Sequence, residues 1–156
     1  MMLHKTIASV FGIGYFGKGG GTIAAIFYGI IWWLLPAAFL HSWWQAVLVF
    51  MIVIIGTWSA GKVDALWGKD NHKVVIDEVA GMAITLLYIP HTIFYLLAGL
   101  VAFRFFDIAK PLGIKRMEKL PKGLGVMADD VLAGLYAFII LRLLLFIHLF
   151  MLNKHL

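Results

Sequence analysis

The fold class predicted is an all-α polytopic membrane bundle of about five transmembrane helices, forming one integral membrane domain over residues 1–156. Three observations carry it: the apolar content, the long stretches without charge, and the side of the membrane to which those stretches assign the acids. Hydrophobic residues make up 63% of the chain and charged ones 13%, and the mean hydropathy is +0.96. Soluble domains sit near 45–50% apolar and about 25% charged. Each span needs roughly 20 apolar residues, so several helices share this one domain, and no appended soluble domain is expected. Met1 to Val10 carries Lys5 but no long apolar core before a small-residue cleavage site, which predicts no removable signal peptide.

Spans are placed in order along the chain. No charge occurs between Lys18 and Lys62, and Pro36 to Ser42 carries turn residues, so helices are expected near 22–40 and 43–60. Trp32, Trp33, Trp43 and Trp44 flank that turn, as an aromatic belt or as ordinary core tryptophans. A polar segment follows from Gly61 to Lys73. Val79 to Phe103 is again uncharged and is broken at Pro90-His91, giving a third and a fourth span. Val131 to Leu152, interrupted only by Arg142, is the fifth. No internal repeat is evident.

Basic residues are retained on the cytoplasmic side. With the N-terminus inside, the inner segments hold Lys5, Lys18, Lys62, Lys69, Lys73, Arg104, Lys110, Lys115, Arg116, Lys119 and Lys122, and the outer ends hold Lys154. The same topology puts all the acids inside: Asp64, Asp70, Asp77, Glu78, Asp107, Glu118, Asp129 and Asp130. Val79 to Ile89 would rise only about 16 Å against a hydrocarbon core of about 30 Å. Short third and fourth helices must therefore draw Asp77, Glu78, Arg104 and Asp107 below the head groups, where charges face a protein interior or a wet cavity. A recessed notch opening to the cytoplasm of a cell (inner) membrane is the expectation.

The net charge of +5 could mark a nucleic-acid binder in a soluble protein; here anionic lipid head groups are the better partner. Cysteine is absent, which excludes disulfides, zinc-thiolate sites and thiolate phosphatases. Any chemistry rests on oxygen and nitrogen.

Three runs at helix ends carry the carboxylates: VIDEVAGMAIT from Val75, FRFFDIAKPLGI from Phe103 and KGLGVMADDVLAG from Lys122. Side chains of the adjacent pairs Asp77-Glu78 and Asp129-Asp130 diverge by about 100° on a helix, so one of each can point inward. Clustered acids without His or Cys suit Mg²⁺, which favours carboxylate oxygens and keeps waters that a phosphate can replace. The alternative is that these acids only cap helix N-termini. Arg104, Asp107 and Lys110 share one helix stripe, able to hold a phosphate beside a metal or to form a salt-bridged stripe. Tyr15 to Thr22, YFGKGGGT, opens the first span; its amides, Lys18 and the Thr22 hydroxyl could meet an anion, or the segment is a flexible entry turn. Gly12 to Lys18 has the spacing of a P-loop, but Gly19 stands where Ser or Thr is needed and no strand precedes it. His41 and His91 fit outer turns, His72 lies near the acids, and Arg142 reads as a buried site partner or a snorkelling side chain.

In order and spacing, the runs D-E-x-x-G-M, F-R-x-x-D-x-x-K-P and G-x-G-x-M-x-D-D-x-x-A-G resemble the signature of the phosphatidylglycerophosphatase A family over about Asp70 to Gly134. The resemblance implies a Mg²⁺-dependent membrane enzyme that removes the terminal phosphate of phosphatidylglycerophosphate. It implies roles for Asp77, Glu78 and Gly81, for Arg104, Asp107, Lys110 and Pro111, and for Gly123, Gly125, Asp129, Asp130 and Gly134, with Asp70 matching an upstream acid. The family's P-G-T-x-G-S survives only as Gly21-Thr22, with Ala25 in place of the Ser, and Gly113 replaces a second proline. On this reading Asp77, Glu78, Asp129 and Asp130 hold Mg²⁺ with Asp107 assisting, while Arg104, Lys110, Thr22 and Lys18 bind the phosphate. Water or an Asp could be the nucleophile. The rival classes are an ion-coupled transporter, and a noncatalytic subunit binding anionic lipid through Lys115, Arg116, Lys119 and Lys122.

Overall fold

The computed structural model describes residues 1–68 and 71–154, so Lys69 and Asp70 lie outside the described residues. Those described form α-helices and one 3-10 segment, without strands. The chain opens with α1 (Met2–Ala8) and the 3-10 turn Ile13–Gly19, and α2 (Gly20–Leu34) follows. Leu35 is extended (φ −72°, ψ 142°), as a residue before proline must be, and Pro36 leads into the single turn α3 (Ala37–Leu40). Ser42, also extended, starts the long α4 (Trp43–Trp67), which stops at Gly68 with φ 86°.

The short α5 (Ile76–Thr85) ends ahead of Pro90, and Thr92 caps α6 (Ile93–Ala109) by accepting from Tyr95 N–H. At Lys110 the backbone turns left-handed, φ 44°, directly before Pro111, which cannot continue a helix. One turn, α7 (Ile114–Met117), precedes α8 (Gly123–Asn153).

Five of these helices, α2, α4, α5, α6 and α8, fall on the five apolar segments. By length and composition α4 and α8 can cross a membrane. The other three have 15, 10 and 17 residues, about 22, 15 and 25 Å at 1.5 Å per residue. Five full-length spans are thus not what the helix lengths give. The fifth segment is longer than its apolar part: α8 begins at Gly123, so Asp129 and Asp130 lie in its second turn. A cap serves only the first turn, which removes the capping alternative for that pair.

The core is built around α5, whose residues from Val79 to Thr85 are all buried, with α8, α2, α4 and α6 packed about it. Small residues set the closest approach. A Cβ on Gly134 would overlap the carbonyl of Gly81, and one on Gly81 would overlap the Phe103 ring. Thr85 Oγ1 spans this crossing, donating to Gly81 O at 2.9 Å and Gly134 O at 3.4 Å.

The far end of the bundle is closed by polar side chains. Buried Gln45 donates to Leu86 O at 3.2 Å and accepts from Tyr88 N–H at 3.0 Å, satisfying the backbone where α5 ends. Trp33, Trp43 and Trp44 are exposed, but Trp32 is fully buried. Spacing explains the difference: Trp32 follows Ala25, Tyr28 and Gly29 along the inner stripe of α2. Arg142 also belongs to this end, its guanidinium over the Phe138 ring at 5.0 Å and Nη2 3.5 Å from Leu87 O. It is no partner of the acids.

Candidate active site

The opposite end of the bundle gathers the charges. The start of α5 brings Asp77 and Glu78, the last turns of α6 bring Arg104 and Asp107, Lys110 follows in the turn, and the second turn of α8 brings Val126, Asp129 and Asp130. All of them line one cavity of about 280 Å³. Gly17, Lys18 and Gly21 close it from the approach to α2, and Asn71, His72 and Val74 from the loop before α5. Placing a helix start beside a helix end is what antiparallel packing of α5 and α8 against α6 produces. The result joins groups far apart in sequence.

Within the cavity Asp77, Glu78 and Asp130 form one cluster, each offering an oxygen within 4.8 Å of the others. Asp130 is 3% exposed. Asp77 Oδ1 and Glu78 Oε2 are buried and have no hydrogen-bond partner among the described residues. Such oxygens are costly unless a donor or a cation satisfies them. Oxygen-only donors, with no thiolate among them, are the set that hard divalent cations prefer. The cluster fits such an ion.

Asp129 stands outside this cluster. Its Oδ2 accepts from Lys110 Nζ at 2.6 Å, and Lys110 also donates to Glu118 Oε1 at 2.7 Å. Its other oxygen, Oδ1, is buried and unpartnered. Partial burial works against the Lys110 ammonium, but the hydrogen bonds it donates to Asp129 and Glu118 prevail and hold its pKa above the ordinary lysine value. Lys110 therefore stays charged at any working pH. Arg104 Nη1 pairs with Asp107 Oδ2, three residues on along the same stripe. Arg104 Nε is buried and has no partner.

Gly21 sits against Glu78, and a Cβ there would overlap Glu78 Oε1. The glycine is what lets the carboxylate reach the cluster past α2. Of the two residues that survive from the weakest motif, Gly21 lines the cavity, while Thr22 is exposed and is not among the lining residues. Lys18 lines it as expected. Asn71, Val126 and the Lys110–Glu118 bond carried no motif and became visible only in three dimensions.

Fold and site together define an apolar, all-helical protein with one acidic cavity able to hold a cation beside an anionic group. The chain belongs to the phosphatidylglycerophosphatase A family, whose profile matches residues 6–145. It is an enzyme, a lipid phosphatase of the phosphoric monoester hydrolase class. A Bacteroides thetaiotaomicron protein, provisionally named a phosphatidylinositol-3-phosphatase, is 42% identical over 146 residues, 89% of this chain and 91% of that one. The phosphatidylglycerophosphatase A of Haemophilus influenzae is 39% identical over 60% of each chain. That of Escherichia coli is 32% identical over 73% of this chain and 65% of its own. No solved structure matches the chain.

Proposed function

We propose that this protein removes the terminal phosphate of phosphatidylglycerophosphate, releasing phosphatidylglycerol and inorganic phosphate, with Mg²⁺ as cofactor and as a step of glycerophospholipid synthesis. The observation that carries the reading is the Asp77–Glu78–Asp130 cluster, with its unsatisfied oxygens, facing Arg104 and Lys110 across one cavity. A phosphate monoester needs that combination, because negative charge on its oxygens must be offset while water approaches in line.

Asp77, Glu78 and Asp130 would hold the ion. A bound Mg²⁺ supplies Lewis acidity toward the phosphoryl oxygens. Arg104, which lines the cavity, offers its guanidinium to the phosphate while Asp107 fixes its plane, and Lys110 adds a second positive charge held by Asp129 and Glu118. These preset charges stabilise the transition state without reorganising. An Asp of the cavity would either accept a proton from the attacking water or attack phosphorus itself, and Asp129, whose Oδ1 makes no hydrogen bond among the described residues, is the candidate outside the carboxylate cluster. A phosphorylated Asp trapped from a quenched turnover with hydroxylamine or borohydride supports the latter; a quenched turnover that yields no acyl phosphate supports the former.

The five apolar helices are read as lying in the bilayer with the cavity on the cytoplasmic side, where basic residues concentrate. Acyl chains stay in lipid while the head group enters the cavity. The decisive assay is phosphate release from phosphatidylglycerophosphate by detergent-purified protein, with Mg²⁺ and with EDTA, alongside Asp130→Asn. Release that needs the metal and is lost in the variant supports the reading; no release by folded protein refutes it. The extended match to a relative named for phosphatidylinositol 3-phosphate favours testing that lipid in parallel. The reaction would be the same on a different polyol.

A further inference from the structure

The cations of the cavity are not alike. Arg104 and Lys110 are each held by carboxylates. Lys18 lines the same cavity, yet among the described residues it pairs with no carboxylate. It is exposed, as is His72, and the two stand at the lining with Asn71 between α5 and the 3-10 turn. An ammonium with no carboxylate partner among the described residues and an exposed imidazole, both lining an acidic cavity, form a second place for negative charge, apart from the carboxylate cluster.

The rim is also apolar on its outer side. Phe11, Tyr15 and Phe16, in the same stretch as Lys18, are 82%, 57% and 73% exposed. Aromatic residues beside lysine are what a membrane interface accommodates, rings toward the acyl chains and charge toward the head groups. The head-group layer is where a phospholipid carries its phosphodiester. Both kinds of lipid named among the relatives contain this diester, joined through a polyol to a phosphate monoester, and they differ in the polyol.

We propose that Lys18 and His72 form a subsite for the substrate's own phosphodiester, which seats the lipid at the rim while its terminal monoester reaches the carboxylate cluster; the Asn71 side chain, donating to Trp67 O at 2.7 Å and accepting from Lys73 N–H at 3.1 Å, braces the loop that carries His72. The subsite rests on the reading of the chain as a phosphatase for a lipid bearing both groups. It takes a lipid phosphodiester and is indifferent to the polyol. Lys18 and His72 set affinity and position; they take no part in bond breaking.

The test uses the full-length protein in nonionic detergent micelles holding no other phospholipid, so that the only diester present comes from the substrate. Lys18→Ala and His72→Ala are both at exposed positions, and folding is checked by thermal unfolding. For phosphatidylglycerophosphate, Lys18→Ala should raise KM about tenfold, the size of one charge-assisted contact, and do so more than it lowers kcat. Lys18→Arg should restore most of the loss. Added phosphatidylglycerol, which keeps the diester and lacks the monoester, should inhibit the parent protein, and Lys18→Ala should weaken that inhibition by a similar factor. An unchanged KM, an effect confined to kcat, or product inhibition insensitive to Lys18 would overturn the subsite alone. A parent protein that releases no phosphate from phosphatidylglycerophosphate would overturn the functional reading, and the subsite with it.

Discussion

Lys110 Nζ lies 2.6 Å from Asp129 Oδ2, and this bond separates two neighbouring acids into different tasks. Asp130 joins Asp77 and Glu78, whereas Asp129 holds the lysine. Removing one member of a buried pair leaves the other charged and desolvated. Lys110→Ala should therefore lower stability by about 1–3 kcal/mol, discounted from a fully buried pair because Lys110 is part exposed. Phosphate release should fall at least about tenfold with it. Thermal unfolding in detergent checks the first; an unaltered midpoint would mean that the pair contributes nothing.

Gly21 and Glu78 give a sharper case, because space decides it. Gly21→Ala should push the Glu78 carboxylate out of the cluster and cut phosphate release more than about tenfold, with little change in stability because the displaced atoms are the end of a flexible side chain. Gly19→Ala is the control, since a Cβ there meets nothing within 4 Å and the backbone is right-handed. Equal losses in both variants would show that flexibility of the turn, and not room for Glu78, matters at Gly21.

Three carboxylates brought together without a cation repel one another, so an ion that binds them stabilises the folded state by linkage. Adding Mg²⁺ should raise the unfolding temperature of the parent protein, the gain corresponding to about 2.7 kcal/mol at a hundred times the dissociation constant. EDTA should reverse it. Asp130→Asn should lose the response while keeping its fold. A midpoint that ignores Mg²⁺ in the parent protein would argue against a metal in the cluster.

Arg104 should not tolerate lysine. A guanidinium can pair with Asp107 through Nη1 and keep further N–H donors for a phosphate, whereas an ammonium is a single point charge without that fork. Arg104→Lys should lower kcat by at least about tenfold with a smaller change in KM, as loss of a contact made in the transition state does. A change in KM alone would instead assign Arg104 to ground-state binding.

Much of the site was legible in the sequence because helix ends announce themselves. Each of the prolines at 36, 90 and 111 follows the end of a helix, but α2 stops at Leu34, short of the span expected near 22–40, and α5 stops at Thr85, ahead of Pro90. The runs that carry Asp77-Glu78, Arg104-Asp107 and Asp129-Asp130 mark the three segments that meet at the cavity. Legibility failed where the answer depended on which way a side chain faces across a contact. Trp32 looked like its neighbour Trp33 and is buried where Trp33 is exposed. Thr22 looked more chemical than Gly21, yet Gly21 lines the cavity. The start of α8 lies ahead of the apolar segment expected from Val131, and close packing of Gly123 and Gly125 against Thr57, Gly61 and Leu120 is what requires glycine there.

The sequence by itself determined that this chain is apolar and helical, that any chemistry rests on oxygen and nitrogen rather than on a thiolate, and that its acids and bases lie at segment ends. Those properties follow from composition and spacing, which survive in one dimension. Only the tertiary structure decided that Asp130 joins Asp77 and Glu78 while Asp129 turns to Lys110, and that Gly21 makes room for Glu78. These choices depend on contacts between α2, α5, α6 and α8 that are distant in sequence. Adjacent carboxylates are indistinguishable until packing gives each its own neighbour.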